Sequence, residues 1–395
     1  MADIRAAFAA RPPGFTLPGL LYRDAGVFDL DLQHIWHQSW VFAGASCEIA
    51  APGDFFTLTI GRTPIVVLRD RTGTVRAFFN TCRHRGSVVC TAERGRMSSM
   101  VCPYHQWTYD LTGRLRHADM MGDDFDPSNF SLRPVQVAEL EGTIYVCLAD
   151  APPDFAPISA AIGPALAPHR LADAKIAAEM NVIEHANWKL VMENSRECYH
   201  CGHAHPALMQ TFVVADAPDD RAASAELAAY AARCEAMGLR SDPRDGPDFT
   251  CMRMPFAKGA ISITMDGKPA VARVLGDTPH SDIGSLRWVH YPSTFNHALG
   301  DYAFLFRMLP VGPQETLVTG KWLVHRDAVE GVDYDLETLT RVWRQTNDED
   351  KILVERNQVG VNSMGYRPGP YAPSAEWGVQ RFTDWYCATM DAALK

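Results

Sequence analysis

Long apolar runs are missing from this sequence. No stretch of about eighteen apolar residues occurs, so no membrane span is expected. Positive charge is also scarce: 37 Lys and Arg stand against 47 Asp and Glu, a formal net charge of −10. That balance argues against nucleic acid as a partner, which needs a basic face. There is no internal repeat and no low-complexity block. No G-x-G-x-x-G fingerprint lies between a strand and a helix, so a nucleotide-binding reductase module is not expected in these residues. The start, Met1 to Phe15, mixes Asp3, Arg5 and Arg11 with short apolar runs and does not resemble a signal peptide. Ten cysteines in 395 residues without such a leader make a disulfide framework unexpected. Reduced thiols or metal ligands, in a cytoplasmic protein, are the expectation.

The length exceeds what one small core needs and fits two domains. Phe55 to Ile60, Ile65 to Leu68 and Val75 to Phe79 are β-rich runs separated by turns at Gly61-Arg62 and Arg71-Thr72-Gly73. Further strands are predicted at Trp107 to Leu111 and Thr143 to Leu148. Ala151-Pro152-Pro153 reads as a linker, and the character then changes. Asn187 to His200 has helical spacing, as do Arg221 to Ala236, Leu336 to Val359 and Trp377 to Met390. Ile261 to Thr264, Leu286 to Tyr291, Tyr302 to Leu309 and Leu317 to His325 read as strands of a second sheet. The fold class is α+β, with an N-terminal segment over 1–39, an all-β domain over 40–152 and a mixed domain over 153–395.

Cys82-Arg83-His84 is followed by seventeen residues and then Cys102-Pro103-Tyr104-His105. Each loop offers one thiolate and one imidazole. A structural zinc site could use such a set. So could a two-iron cluster with two His on one iron and two Cys on the other. Zinc fingers run Cys, Cys, His, His, with both histidines on a helix. Here the order alternates and both pairs lie between strands. The pattern Cys-x-His-x17-Cys-x-x-His resembles the Rieske [2Fe–2S] motif. Cys47, Cys90 and Cys147 fit buried apolar positions better than ligand positions.

A second group lies in Glu193-Asn194-Ser195-Arg196-Glu197-Cys198-Tyr199-His200-Cys201-Gly202-His203-Ala204-His205-Pro206. His200 and His205 are off one face of a regular helix, but Gly202 and Pro206 predict that the helix ends or distorts between them, letting both rings converge. Two imidazoles plus one carboxylate make a mononuclear non-haem iron site that binds O2. The run Asn347 to Gln358, expected to open the long helix, resembles the acidic helix that supplies the third ligand in Rieske oxygenases. Matching it selects Asp350, with Asp348 second; an acidic helix start would otherwise be ordinary dipole compensation.

The resemblance covers nearly the whole chain and implies the catalytic α subunit of a Rieske non-haem iron oxygenase. It implies a Rieske domain followed by an antiparallel sheet flanked by helices, helix-grip-like, with the N-terminal segment packed on the catalytic domain. By resemblance, Cys198, Cys201 and His203 are packing residues or supports of the ligands, and Asn194 supports the iron site. Glu197 would bridge the cluster of one subunit to the iron of its neighbour, which needs a ring-forming oligomer, a homotrimer in this family. A separate flavin and iron–sulfur NAD(P)H reductase would supply electrons.

The segments Glu193 to Cys201, Trp322 to Tyr334 and Tyr366 to Tyr371 are similar to the betaine demethylase branch. The resemblance implies hydroxylation of an N-methyl group on glycine betaine or a related quaternary ammonium, then loss of formaldehyde. A cation without N–H donors is held by aromatic faces, and Trp288, Tyr291, Phe295, Tyr302, Phe304 and Phe306 are candidates. Val359-Gly360 and Ser363-Met364-Gly365 depart from the branch pattern near the expected end of the substrate channel. An aromatic ring-hydroxylating dioxygenase and a Rieske electron carrier are the alternatives. The two metal motifs together predict two cluster irons plus one chelatable mononuclear iron per chain. Iron assay before and after mild chelation checks this, and cluster iron alone would leave the electron carrier standing.

Overall fold

A computed structural model describes residues 2–214 and 225–395. Ten strands come first: β1 (Val41–Ala45), β2 (Asp54–Ile60), β3 (Thr63–Arg69), β4 (Val75–Phe79), β5 (Arg94–Arg96), β6 (Met100–Val101), β7 (Thr108–Tyr109), β8 (Leu115–His117), β9 (Pro134–Leu140) and β10 (Thr143–Cys147). Seven form one antiparallel sheet in the order β1-β10-β9-β4-β3-β2-β5, and β6-β7-β8 form a small second sheet. β2 buries Phe56, Leu58 and Ile60 on one face, the alternation a half-buried strand requires. The β3–β4 turn closes on Asp70, whose carboxylate accepts from the Thr72 and Thr74 amides.

The second half holds β11 (Ala174–Glu184), β12 (Arg244–Asp245), β13 (Phe249–Met254), β14 (Ser285–His290), β15 (Thr294–Ala298), β16 (Ala303–Gly312) and β17 (Glu315–His325). They pair antiparallel in the order β11-β17-β16-β15-β14-β13-β12. β13 and β14 are buried along their whole length, so both faces of the sheet are covered. On one face lie Leu286, Trp288, Leu305 and Leu323, in a core shared with the helix Ala156–Leu166. Across the other runs the long helix Leu336–Asn362, capped by the Asp335 carboxylate accepting from the Thr338 amide at 2.8 Å. Its Trp343 stacks on Phe304, ring centroids 4.7 Å apart and 10° from parallel.

Three sequence expectations change. Residues 261–264 form bends, not a strand: the Ile261 and Ser262 amides donate to the Gly267 carbonyl and the Ile263 carbonyl accepts from the Tyr302 hydroxyl, taking up backbone groups a ladder would use. The helix expected over Asn187 to His200 spans only Trp188–Asn194. The acidic run does not open the long helix but lies in its middle, where dipole compensation has no purchase. The C-terminal helix spans Trp377–Ala393 and that after the undescribed segment Ala225–Ala236; Arg221 to Ser224 lie outside the described residues.

The N-terminal residues pack on the helices of the second half. Arg11 pairs with Asp384 at 2.7 Å, and the Tyr22 hydroxyl donates to buried Glu193 at 2.8 Å. Asp31, fully buried, accepts from Trp188 Nε1 at 3.0 Å and from the Tyr386 hydroxyl at 2.7 Å, and forms an ion pair with fully buried Lys189. Lys189 and Trp188 sit on the short helix that leads to His200. Asp31→Ala leaves the Lys189 ammonium buried without a counter-charge and is expected to cost about 3–5 kcal/mol in denaturant unfolding. The double variant Asp31→Ala with Lys189→Met should recover most of that loss.

Candidate metal centres

The first centre sits at the tip of the β domain. Cys82 and Cys102 are buried, while His84 and His105 are exposed. Each loop is a tight turn closed by its own backbone: Gly86 N–H donates to the Cys82 carbonyl, and Gln106 N–H donates to the Cys102 carbonyl, both at 3.0 Å. Gly86 has φ +79°, a left-handed conformation that costs glycine little. Gln106 adopts φ +58° at the matching position without that advantage. The two imidazoles meet edge to face with centroids 4.6 Å apart, and His84 stacks on Trp107 at 4.9 Å. The Tyr109 hydroxyl lies 3.3 Å from Cys82 Sγ and accepts from the Arg83 amide. Burial, and to a lesser degree neighbouring Cys102, raise the Cys82 thiol pKa, so a bound metal would be what holds it as a thiolate. Two inward sulfurs and two outward nitrogens are a donor set that fits a Rieske cluster.

The second centre forms where the Trp188–Asn194 helix gives way to a loop. His200 precedes a single turn of helix, Cys201–Ala204, and His205 follows it with φ −120° and ψ 62°, out of helical conformation. That break turns both rings the same way, and their Nε2 atoms are 3.1 Å apart. Asp350 Oδ1, from the long helix, lies 3.0 Å from His205 Nε2 and 3.3 Å from His200 Nε2. Asp348 is exposed and outside this group. The two Nδ1 atoms are also occupied: His200 Nδ1 lies 2.5 Å from Glu197 Oε1, and His205 Nδ1 lies 2.8 Å from Glu349 Oε2. Burial works against a charge on His200, but Asp350 and Glu197 outweigh it and push its pKa up to about 9. Two nitrogens and one carboxylate oxygen converging, each imidazole oriented by a further carboxylate, fit a ferrous site of the two-His, one-carboxylate kind.

Glu349 was not singled out from the sequence. Its signal was its place beside Asp350, and only the long helix's orientation shows that it reaches His205. Glu197 is not on a helix with His200, as its spacing implied; it lies in the loop, and its carboxylate also accepts from the Tyr199 and His200 amides. Asn194 lines the adjoining cavity without a side-chain hydrogen bond to another described residue. The expectation of reduced thiols fails at one place: Cys198 and Cys201 form a disulfide across the Tyr199-His200 turn, their Cα atoms 4.8 Å apart and within bonding range. Cys201 Sγ is 3.9 Å from His200 Nε2, but as a disulfide sulfur it offers no thiolate. His203 is exposed.

A cavity of about 140 Å³ opens beside His200, His205 and Asp350. Nine of its wall residues come from the second sheet: Glu184 at the end of β11, and eight more in two cross-strand rows. Met252, Arg287, His297 and Phe304 are register partners on β13, β14, β15 and β16. Thr250, Val289, Phe295 and Phe306 form the second row. Gly320 on β17 leaves room for the Phe304 ring, since a Cβ there would stand 2.8 Å from it. Of the six aromatic candidates, Phe295, Phe304 and Phe306 line the cavity. Trp288, of opposite parity to Arg287, lies in the core on the other face; Tyr291 packs on Phe382 and Trp385; the Tyr302 hydroxyl accepts from Trp343 Nε1. Phe212, Trp343 and Trp377 line the cavity too and were not foreseen. Val359 and Met364, at the departures from the branch pattern, are exposed and not among the lining residues.

With both centres in place, the chain is a Rieske-type oxygenase subunit, an oxidoreductase with a [2Fe–2S] cluster and a mononuclear iron as its cofactors. Residues 39–135 match the Rieske [2Fe-2S] domain, and residues 171–392 match the ring hydroxylating alpha subunit catalytic domain, so the chain belongs to that family. It is 48% identical over 385 residues to the glycine betaine monooxygenase oxygenase subunit of Chromohalobacter salexigens, covering 96% of this chain and 86% of that one. Its fold is similar to a quaternary ammonium Rieske monooxygenase studied for carnitine oxidation by gut microbiota and inter-subunit electron transfer (TM-score 0.75, 22% identity, 97% of each chain). Its fold is also similar to naphthalene 1,2-dioxygenase from Rhodococcus sp. (TM-score 0.73, 20% identity, 99% of each chain). The fold alone therefore does not separate methyl hydroxylation from arene dihydroxylation. Among the described residues, no helix is long and apolar enough to cross a membrane.

The convergence at Asp350 makes a test between the two acidic candidates. Asp350→Ala is expected to lose the mononuclear iron while the cluster's visible spectrum persists. Asp348→Ala should keep both, as measured by iron content per chain.

Proposed function

We propose that this chain is the cytoplasmic oxygenase component of an N-demethylating monooxygenase acting on a betaine. In net terms, the N-methyl group, O2, two electrons and two protons give an N-hydroxymethyl group and water. The hydroxymethyl group then releases its hydroxyl proton and leaves as formaldehyde, its C–N electron pair remaining on the now tertiary amine. The electrons come from a separate NAD(P)H-linked flavin and iron–sulfur reductase. The single observation carrying this reading is the cavity wall: Phe295, Phe304, Phe306 and Trp343 set aromatic surface beside the two-His, one-carboxylate group. A quaternary ammonium donates no hydrogen bond and is held by such faces. The glycine betaine activity named for the 48% identical relative supports the same reading.

Cys82, His84, Cys102 and His105 would hold the cluster, and His200, His205 and Asp350 the iron. When bound, the iron supplies O2 activation, driven by electrons passed on from the cluster. The chain's own residues supply position. Glu197 and Glu349 hold the two imidazoles by Nδ1 and leave Nε2 facing Asp350. The aromatic rows place the methyl groups and exclude water. Exposed His84 and His105 suit delivery of electrons across a subunit boundary, with Glu197 as the bridge to His200 in a head-to-tail homotrimer.

The holoenzyme with a class-matched reductase is expected to release one formaldehyde per glycine betaine demethylated. An arene converted to a cis-diol, with no formaldehyde from any methylated amine, would sink the proposal in favour of a dioxygenase. Glu197→Ala should retain both metal centres by iron content and cluster spectrum, yet lower reductase-coupled turnover by about 10- to 100-fold or more. Unchanged turnover would contradict the bridging role.

A further inference from the structure

Arg287 lies in the first of the two wall rows, on β14, between Met252 and His297. It is 6% exposed and lines the cavity. Its guanidinium lies over the Phe212 ring, Cζ 3.7 Å from the centroid, and Nη1 donates to the Val213 carbonyl at 2.8 Å. Among the described residues, Nε and Nη2 have no hydrogen-bond partner and no carboxylate forms an ion pair with Arg287. Burial lowers its pKa, yet a guanidinium stays charged at neutral pH. An unpaired buried cation costs several kcal/mol and is retained where something else supplies the counter-charge.

The free atoms say what that something is. Nε and Nη2 form one edge of the guanidinium, two parallel N–H groups that match two oxygens of one carboxylate. One cross-strand partner of Arg287 is His297, itself fully buried and lining the cavity, with Nδ1 3.0 Å from Ser285 Oγ and Nε2 without a partner among the described residues. Burial, then the neighbouring guanidinium, keeps that imidazole neutral. Val289, Phe295 and Phe306 of the adjacent row offer no charge. The same wall thus pairs an anion-seeking edge with an apolar aromatic surface, the two halves of a small zwitterion.

We propose that the Nε–Nη2 edge of Arg287, beside His297, binds the carboxylate of the substrate and makes this oxygenase selective for carboxylated quaternary amines over plain quaternary ammonium ions. This deepens the demethylase reading and rests on it. The role is recognition: Arg287 would fix one end of the substrate so that the methyl groups at the other end face the iron ligands. An arene has no group to pair with this edge.

The test uses metal-loaded holoenzyme, kept anaerobic, and equilibrium binding of labelled glycine betaine and of ethyltrimethylammonium, which lacks the carboxylate. Wild type should prefer the betaine. Arg287→Met should weaken betaine binding by at least about 100-fold while ethyltrimethylammonium binding stays within about threefold. Arg287→Lys, which keeps the charge but not the fork, should fall between. Formaldehyde assays should show the loss mainly in KM for betaine. Betaine binding within about threefold of wild type in Arg287→Met, with iron and cluster intact, overturns the assignment and leaves the demethylase reading standing. Formaldehyde from no quaternary amine in wild type overturns that reading, and the assignment with it. If Arg287→Met loses its metals, wild type decides: ethyltrimethylammonium binding as tightly as betaine refutes a carboxylate site.

Discussion

Three candidate ligand atoms from two distant stretches of chain meet within hydrogen-bonding distance, and the rest of the catalytic half is arranged to keep them there. His200 Nε2, His205 Nε2 and Asp350 Oδ1 lie 3.0–3.3 Å from one another, although Asp350 is 145 residues beyond His205 in sequence. Such a group of polar atoms is unfavourable unless each is oriented and its charge compensated. The orientation comes from Glu197 and Glu349 on the outer nitrogens. The placement comes from the long helix, which must cross the sheet at one height and one rotation for Asp350 and Glu349 to reach the loop. Trp343, seven residues earlier on that helix, sets the height by stacking on Phe304 and donating to the Tyr302 hydroxyl.

The loop bearing the histidines has its own anchor. It follows a short helix whose Lys189 and Trp188 bind a buried aspartate from the N-terminal segment. Residues far from the cavity therefore bear on where His200 sits. The disulfide between Cys198 and Cys201 restrains the same turn from the other side. Between loop, helix and sheet lies a cavity whose wall chemistry follows strand register. Alternate residues of β13 to β16 face it, and register partners form rows that mix aromatic rings with one buried guanidinium.

Several features were legible in the residues because they are local. Cys82 with His84 and Cys102 with His105 each span a single tight turn, so their spacing nearly dictates their geometry. The same holds for His200 and His205, where Gly202 and Pro206 marked the break that lets the rings converge. The strands at Phe55 to Ile60 and Val75 to Phe79 announced themselves by alternation. Ile261 to Thr264 looked like another such strand, yet its backbone groups are taken by the Gly267 carbonyl and the Tyr302 hydroxyl, and no strand among the described residues pairs with it.

What the sequence by itself determined is the chemistry on offer: two kinds of iron site, an oxygenase of the Rieske type, and a surplus of aromatic residues in the second half. Only the tertiary structure decided which of Asp348 and Asp350 meets the histidines, that Glu349 supports one of them, and that Phe295, Phe304 and Phe306 face the cavity while Trp288, Tyr291 and Tyr302 do not. It also decided that Arg287 faces the same space with two N–H groups unpaired among the described residues. The reason is the same in each case. A ligand pair within one turn is specified by bond geometry, whereas the face a strand residue presents, and the side of a helix that meets a distant loop, depend on register and packing that no short stretch of sequence contains.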